Sequence, residues 1–169
     1  TVTPTAKAAA APIADSVAGT ATTDDFCPVL SDSTQTVTAQ RLRDAMTAVG
    51  IEVLQADEVR IPIGSQGGWS EGGQLDELGH KLGVRLAREL RREVERLADR
   101  IDALLSSGWR KVRVVTDHGW LLMPGGLPKV DMPKFLTETR WSRCAALKGE
   151  SSTTMSVWPW YWNPQVRIA

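Results

Sequence analysis

The chain has 169 residues, of which 42% are hydrophobic and 24% are charged, and its 20 lysines and arginines balance 20 aspartates and glutamates. This composition is typical of a soluble globular domain with a sizeable core, and the zero net charge excludes binding to nucleic acid or anionic membrane through bulk charge alone. No apolar run reaches the length of about 18 residues that a membrane-spanning helix needs. Cys27 and Cys144 form neither a disulfide framework nor a zinc motif, so we expect a reducing, cytoplasmic setting.

The N-terminal part of the chain predicts two helices separated by a loop. Alanine-rich residues 4–18 favour a short helix, and residues 19–37 are rich in Thr, Ser and Asp and predict a loop. Apolar residues at helical spacing predict a second helix over residues 38–49, with Thr38 as its N-cap and Gly50 as its stop.

Two extended segments and a glycine-rich segment follow. Ile51–Leu54 predicts a strand, and residues 59–63 predict a second extended piece. Residues 64–73 contain five glycines and predict a flexible loop, which lacks the GxxxxGK[ST] pattern of a phosphate-binding P-loop.

The strongest local pattern predicts a long amphipathic helix over about Leu82–Ser106. Arginines and glutamates cover one side and predict a solvated face, on which Glu93 and Arg96 form a favourable pair three residues apart. Gly108 is the expected stop. The other side carries apolar residues at spacings of three and four, namely Leu82, Leu86, Leu90, Val94, Leu97, Ile101, Leu104 and Leu105.

The segment after this helix predicts a buried parallel strand over Val112–Thr116, followed at once by the polar cluster Asp117, His118 and Gly119. A helix, a glycine, a strand and a polar cluster are the order typical of α/β proteins, in which ligands bind beyond the carboxyl ends of strands. The aromatic tail around Trp158, Trp160 and Trp162 predicts core or rim packing.

Both histidines of the chain lie beside an aspartate at a spacing that suits metal binding. Asp76 and His80 would share one face of a helix, and Asp117 and His118 would converge where a strand ends and the chain turns. Carboxylate and imidazole together favour Zn²⁺, Mn²⁺ or Fe over Ca²⁺. Helix-capping aspartates and histidines in polar turns produce the same pattern, so spacing alone leaves both interpretations open.

The same residues carry a resemblance to a known family. The run Leu75-Asp76-Glu77-Leu78-Gly79-His80 resembles the Asp-x-x-Gly-His element of the alkaline phosphatase superfamily, and Thr116-Asp117-His118-Gly119 resembles its Asp-His-Gly element. The longer run Val112–Lys129 and its continuation through Ala145 are similar to the PglZ family, the phosphatase-like component of BREX phage-defence systems.

The resemblance implies a site with two divalent metal ions, for which Zn²⁺ or Mn²⁺ is expected. Asp76 and His80 match ligands of one ion, and Asp117 and His118 match ligands of the other. The family places a Thr or Ser nucleophile at a helix N-terminus, and Thr3 is the candidate here, ahead of Thr1 and Thr5. A bound metal ion would lower the pKa of the Thr3 hydroxyl, so that Thr3 could attack phosphorus near neutral pH. Backbone N–H groups at the helix N-terminus would bind the phosphoryl oxygens.

The chain departs from the family pattern at two points. The superfamily also has an aspartate ahead of the nucleophile and a further histidine near the end of the domain, and neither is present in this sequence. Together with the aromatic segment at its end, this leads us to expect an internal piece of a longer protein, incomplete at both ends, which binds metal weakly and has little activity by itself.

The expected fold is α/β, with a mainly parallel sheet flanked by helices in an alkaline-phosphatase-like core. Residues 1–169 would form one partial domain, with about 20–63 as a peripheral insertion. The expected function is a metal-dependent phosphomonoesterase or phosphodiesterase of a BREX-type system, with DNA as one candidate substrate or partner alongside other defence proteins, and with no membrane. The alternative is a non-catalytic assembly module of the defence complex, which would use the Arg/Glu helix and the Trp-rich tail.

Overall fold

The computed structural model describes residues 3–20, 26–119, 132–133, 137–140, 144–149 and 154–169. The chain divides into two compact units, which we call unit 1 (Thr1–Leu42, Thr116–His118 and Pro128–Ala169) and unit 2 (Arg43–Val115 and Gly119–Leu127). The described helices are α1 (Thr3–Ala10), α2 (Ala39–Ala48), α3 (Leu75–Leu82) and α4 (Leu90–Ser106), with short 3₁₀ helices at Ala14–Ser16 and Gly83–Arg88. The described strands are β1 (Val17–Ala18), β2 (Val29–Leu30), β3 (Ile51–Leu54), β4 (Gly67–Ser70), β5 (Thr137–Arg140), β6 (Ala145–Leu147), β7 (Trp158–Trp160) and β8 (Asn163–Ile168).

The prediction of a mainly parallel, alkaline-phosphatase-like sheet is wrong. Among the described residues, β1–β2 and the four-stranded sheet in the order β5-β6-β8-β7 are antiparallel, and only the two-stranded β3–β4 sheet is parallel. The antiparallel direction of β7 and β8 follows from the connection between them, because only residues 161 and 162 separate these two strands. A link this short forms a hairpin, whereas parallel neighbours need a crossover of a dozen or more residues.

Strand β6, in the four-stranded sheet of unit 1, is buried on both sides. Ala146 packs with Phe26, Trp160 and Val166, while its neighbours Ala145 and Leu147 pack with Met132 in a second cluster. Alternate residues of a strand point to opposite faces, so the short apolar strand β6 contributes to both clusters. Trp160 is only 2% exposed, which confirms core packing for that residue of the aromatic tail.

Helix α2 follows the local signals in the sequence closely. The backbone N–H of Arg41 donates to Thr38 Oγ1 over 3.2 Å, so Thr38 caps the helix as predicted. Leu42 and Met46, one turn apart, are buried on one face of the helix. The chain leaves it through Gly50, whose φ of +80° is readily adopted only by glycine.

In unit 2, β3 forms where it was predicted, but its partner lies in the segment that was predicted to be a flexible loop. Ile51 pairs with Gly67 and Leu54 with Ser70 in parallel register. A Cβ at Gly68 would lie 2.7 Å from Trp109 Cη2, so the missing side chain admits the indole ring. The Trp109 Nε1–H group donates to the Val59 carbonyl over 2.8 Å. The predicted extended piece over 59–63 contains no strand.

The predicted helix from about Leu82 is divided in the structure. Helix α3 ends at Leu82, the next residue, Gly83, has φ of +55°, and a 3₁₀ segment leads into α4. Gly108, with φ of +103°, follows the end of α4 as expected. None of the helices among the described residues is long and apolar enough to cross a membrane.

The strand predicted over Val112–Thr116 is absent. Residues 111–116 belong to no helix or strand, and Val114 and Val115 are 57% and 43% exposed. A β-branched run favours extended backbone, but a strand also needs a neighbouring strand to accept its hydrogen bonds, and the described sheets place none beside these residues.

Candidate functional site

Helix α3 brings Asp76 and His80 together on its surface. The two residues lie one helical turn apart, and His80 Nε2 is 3.6 Å from Asp76 Oδ1. Their side chains are 71% exposed for His80 and 58% exposed for Asp76, so solvent and solutes reach both. Asp76 lies in the first turn of α3 and His80 in the last.

The spacing of these two atoms suits a shared divalent ion. Two ligand atoms bound to Zn²⁺ at about 2.0 Å with tetrahedral angles lie about 3.3 Å apart, and a small side-chain rotation closes the difference from 3.6 Å. A carboxylate oxygen and an imidazole nitrogen also form a donor set that Zn²⁺ and Mn²⁺ accept. The pair therefore supplies two donor atoms of the predicted kind, and its role as a metal site stays a prediction.

The second predicted pair lies at a bend of the chain. Asp117 and His118 are half-buried, and the Thr116 hydroxyl donates to the His118 carbonyl over 2.6 Å, which tightens the turn that contains them. The expected turn is therefore present without the strand that was predicted to precede it.

The four predicted ligands do not lie in one unit. Asp117 and His118 belong to unit 1, whereas Asp76 and His80 belong to unit 2. Within the described ranges, no group of three or more His, Cys, Asp and Glu side chains is arranged to hold a metal ion. A shared two-metal site built from both pairs stays a prediction.

The candidate nucleophile Thr3 is the first residue of α1 and is exposed. Thr5, two residues further along the same helix, has a structural role instead. The Thr5 hydroxyl donates to the Phe26 carbonyl over 2.7 Å and accepts the Trp160 indole N–H over 3.0 Å. Because both of its hydrogen-bonding directions are used, Thr5 is a poor nucleophile candidate, while Thr1 lies outside the described residues.

A carboxylate on the predicted solvated face of the Arg/Glu helix is buried and supports α3. The Glu93 side chain is only 4% exposed, and it accepts the backbone N–H of Gln74, the residue that precedes α3, over 3.2 Å. The predicted pair of Glu93 with Arg96 is confirmed. Charge pattern alone cannot identify such a residue, because Glu89 is spaced from Arg92 as Glu93 is from Arg96 and yet is only half-buried.

Two titratable groups differ from their ordinary behaviour. The Lys81 ammonium donates to Glu77 and, by this hydrogen bond and its charge, holds the pKa of the Glu77 carboxyl below its usual value. Burial against the Phe26 cluster raises the pKa of the Cys144 thiol, so Cys144 is a packed apolar residue rather than a reactive thiolate.

Helix α4 presents a second surface feature. Its predicted apolar side is covered at Leu104, which is 8% exposed, but Val94, Leu97 and Leu105 are 61%, 44% and 44% exposed. Solvent-exposed apolar residues at helical spacing are typical of protein-contact surfaces.

Comparisons of the chain with protein-family models, with curated proteins and with solved structures found no match.

Proposed function

We propose that the chain is a divalent-metal-dependent phosphoesterase of the PglZ type, acting on a phosphomonoester or phosphodiester in the cytoplasm as part of a BREX-type defence system. The observation that carries the proposal is the exposed Asp76–His80 pair, with 3.6 Å between its two donor atoms. The Asp117–His118 turn supports it, because its residues match the second half of the expected ligand set. Nucleic acid is the substrate to test alongside small esters.

Each residue has a distinct expected role. Asp76 Oδ1 and His80 Nε2 hold one ion, and Asp117 and His118 contribute to a second. When bound, a divalent ion supplies positive charge for phosphoryl oxygens and lowers the pKa of a bound hydroxyl. Thr3 supplies the nucleophilic oxygen at the N-terminus of α1, where unpaired backbone N–H groups favour an anion.

The test is metal-dependent hydrolysis by the 169-residue chain. We would measure cleavage of bis(p-nitrophenyl) phosphate, p-nitrophenyl phosphate and a short DNA with Zn²⁺ or Mn²⁺, for wild type, Asp76→Asn, His80→Ala and Asp117→Ala. Glu77→Gln is the matched control, since it removes a carboxylate from the same turn of α3 but one that pairs with Lys81. Because the sequence predicts little activity for this chain, we expect weak hydrolysis by wild type and control and hydrolysis below detection in the three ligand variants.

The outcomes separate the parts of the proposal. Metal binding that depends on His80, without hydrolysis of any ester, would support the metal site and contradict the enzymatic activity. Equal activity of wild type and Asp76→Asn would contradict the proposed metal site at Asp76 and His80.

The exposed apolar side of α4 favours a second candidate function, an assembly module that holds another protein of the same defence complex. Val94 and Leu97 would pack against an apolar segment of that protein, with the flanking arginines and glutamates at the rim. The test is co-purification with the co-expressed defence proteins, comparing Leu97→Glu with the control Arg92→Glu on the polar side. Loss of the complex in Leu97→Glu alone would support the module, and retention in both would exclude α4 as its contact surface.

A further inference from the structure

Gln74, the residue that precedes α3, is hydrogen-bonded to a side chain of α4. Gln74 is the N-cap residue, and its side chain makes no capping hydrogen bond. Its backbone N–H instead donates to Glu93 Oε2 over 3.2 Å, while its carbonyl accepts the N–H of Leu78 over 2.8 Å. A negative carboxylate at this end of a helix also interacts favourably with the helix dipole.

Glu93 is itself fixed in place. Arg96 pairs with its carboxylate and donates a further hydrogen bond to Gln74 Oε1 over 3.3 Å, so the three side chains form one connected network. Since the Glu93 side chain is 4% exposed, removal of its oxygens would take from the Gln74 N–H its acceptor among the described side chains.

The network lies directly before a proposed metal ligand. Asp76 is two residues from Gln74, in the first turn of α3, whereas His80 is in the following turn. Helix ends fray first, so an unanchored first turn would move Asp76 and leave His80 in place. The 3.6 Å separation between Asp76 Oδ1 and His80 Nε2 therefore depends on a closed first turn.

We propose that Glu93 is a positioning residue, which holds the first turn of α3 closed and thereby sets the affinity of the Asp76–His80 pair for a divalent ion. The inference rests on the proposed function, because it takes this pair as metal ligands. Outer residues that orient metal ligands commonly contribute about tenfold or more to metal affinity.

The experiment measures Co²⁺ binding to the full chain by its visible absorption, in Glu93→Met and Glu93→Gln. Met fills the site without accepting a hydrogen bond, whereas Gln keeps an acceptor oxygen. We expect about tenfold weaker binding in Glu93→Met and partial rescue, to within about threefold of wild type, in Glu93→Gln. Glu95→Met is the matched control on the same helix, since Glu95 is 59% exposed and pairs only with Arg91 among its described contacts.

Two further measurements separate the inference from the proposed function. Co²⁺ binding that is unchanged in His80→Ala means that the pair does not hold the metal, which overturns both. Binding that needs His80 but is equal in wild type and Glu93→Met overturns the positioning role alone. If Glu93→Met does not fold, hydrogen exchange of the Gln74 amide in wild type decides, because a freely exchanging amide shows that the anchor is absent, and a protected one supports it.

Discussion

The two units of the chain are stabilised in different ways. Unit 1 closes around aromatic side chains, whose indole N–H groups are satisfied within the core: Trp160 Nε1 donates to the Thr5 hydroxyl and Trp162 Nε1 donates to the Thr5 carbonyl. Unit 2 buries fewer hydrophobic residues among those described, namely Met46, Leu54, Leu86 and Leu104, and adds long polar side chains at its edges. The Arg100 guanidinium, for instance, donates to the carbonyls of Gln55 and Glu58.

The difference indicates where each unit tolerates change. Buried contacts at van der Waals distance leave no room for added atoms, and buried donors lose their full hydrogen-bond energy when an acceptor is removed. Partly exposed polar contacts exchange with water, so each contributes less to the free energy of unfolding. We therefore expect substitutions in unit 1 to be more destabilising than similar substitutions in unit 2.

The largest expected effect is that of Gly19→Ala in unit 1. An added Cβ would lie 2.6 Å from the carbonyl carbon and oxygen of Trp162 and 2.7 Å from Trp160 Cζ3, so the β7–β8 hairpin must shift. We expect a loss of about 3 kcal/mol in the free energy of unfolding, measured by urea titration. Gly72→Ala in unit 2 is the control, because nothing lies within 4 Å of its added Cβ, and we expect a change within about 0.5 kcal/mol. Equal midpoints for the two variants would contradict the packing described for the hairpin.

The next effect is that of Thr5→Val, which keeps the shape of the side chain and removes its hydroxyl. The Phe26 carbonyl and the Trp160 indole each lose a partner, so we expect a loss of about 2 kcal/mol by thermal and urea unfolding. Thr47→Val is the matched control, since the hydrogen bond of the Thr47 hydroxyl among the described residues is an exposed one to the Arg43 carbonyl of its own helix. A Thr5→Val protein as stable as Thr47→Val would show that the Thr5 bonds do not stabilise unit 1.

In unit 2, Trp109→Phe tests the packing on strand β4, which lies in the glycine-rich segment that was predicted to be a loop. The substitution removes the bond from Nε1 to the Val59 carbonyl and part of the ring that covers Gly68. Because Trp109 is only half-buried, we expect a smaller loss of about 1 kcal/mol by urea unfolding. A loss as large as that of Gly19→Ala would mean that the two units do not differ as proposed.

The smallest effect concerns pH. Burial raises the pKa of the Cys144 thiol, so the unfolded chain releases this proton at lower pH than the folded chain. The corresponding stability is fully present below the unfolded pKa of about 8.5 and is lost as pH rises through the folded pKa. In a Cys27→Ser background, the unfolding midpoint should therefore fall less steeply above about pH 9 when Cys144 is replaced by Ala. Identical pH profiles with and without Cys144 would refute the prediction.

Local signals predicted the elements whose stability depends on nearby residues. Thr38 as a cap, Gly50 and Gly108 as stops, and Ile51–Leu54 as a strand are all confirmed. The helical spacing of Asp76 and His80 likewise predicted that the two side chains would meet, because positions four apart share a face of any α-helix.

Signals that depend on distant partners were misleading. Val112–Thr116 has the composition of a strand but no pairing partner among the described strands, while Gly67–Ser70 has the composition of a loop and pairs with β3. The role of Glu93 was missed for the same reason, since its acceptor function depends on Gln74, 19 residues away.

The sequence by itself therefore determined the caps, the helix stops, the amphipathic pattern and the pairing of Asp76 with His80, because each of these depends on backbone geometry within a turn or two. Only the tertiary structure decided that the C-terminal strands form an antiparallel sheet, that Glu93 is buried and that the Thr5 hydroxyl accepts a hydrogen bond from the buried Trp160. Strand direction and burial are set by which surfaces meet, and that choice depends on packing and hydrogen-bond satisfaction between segments far apart in the chain.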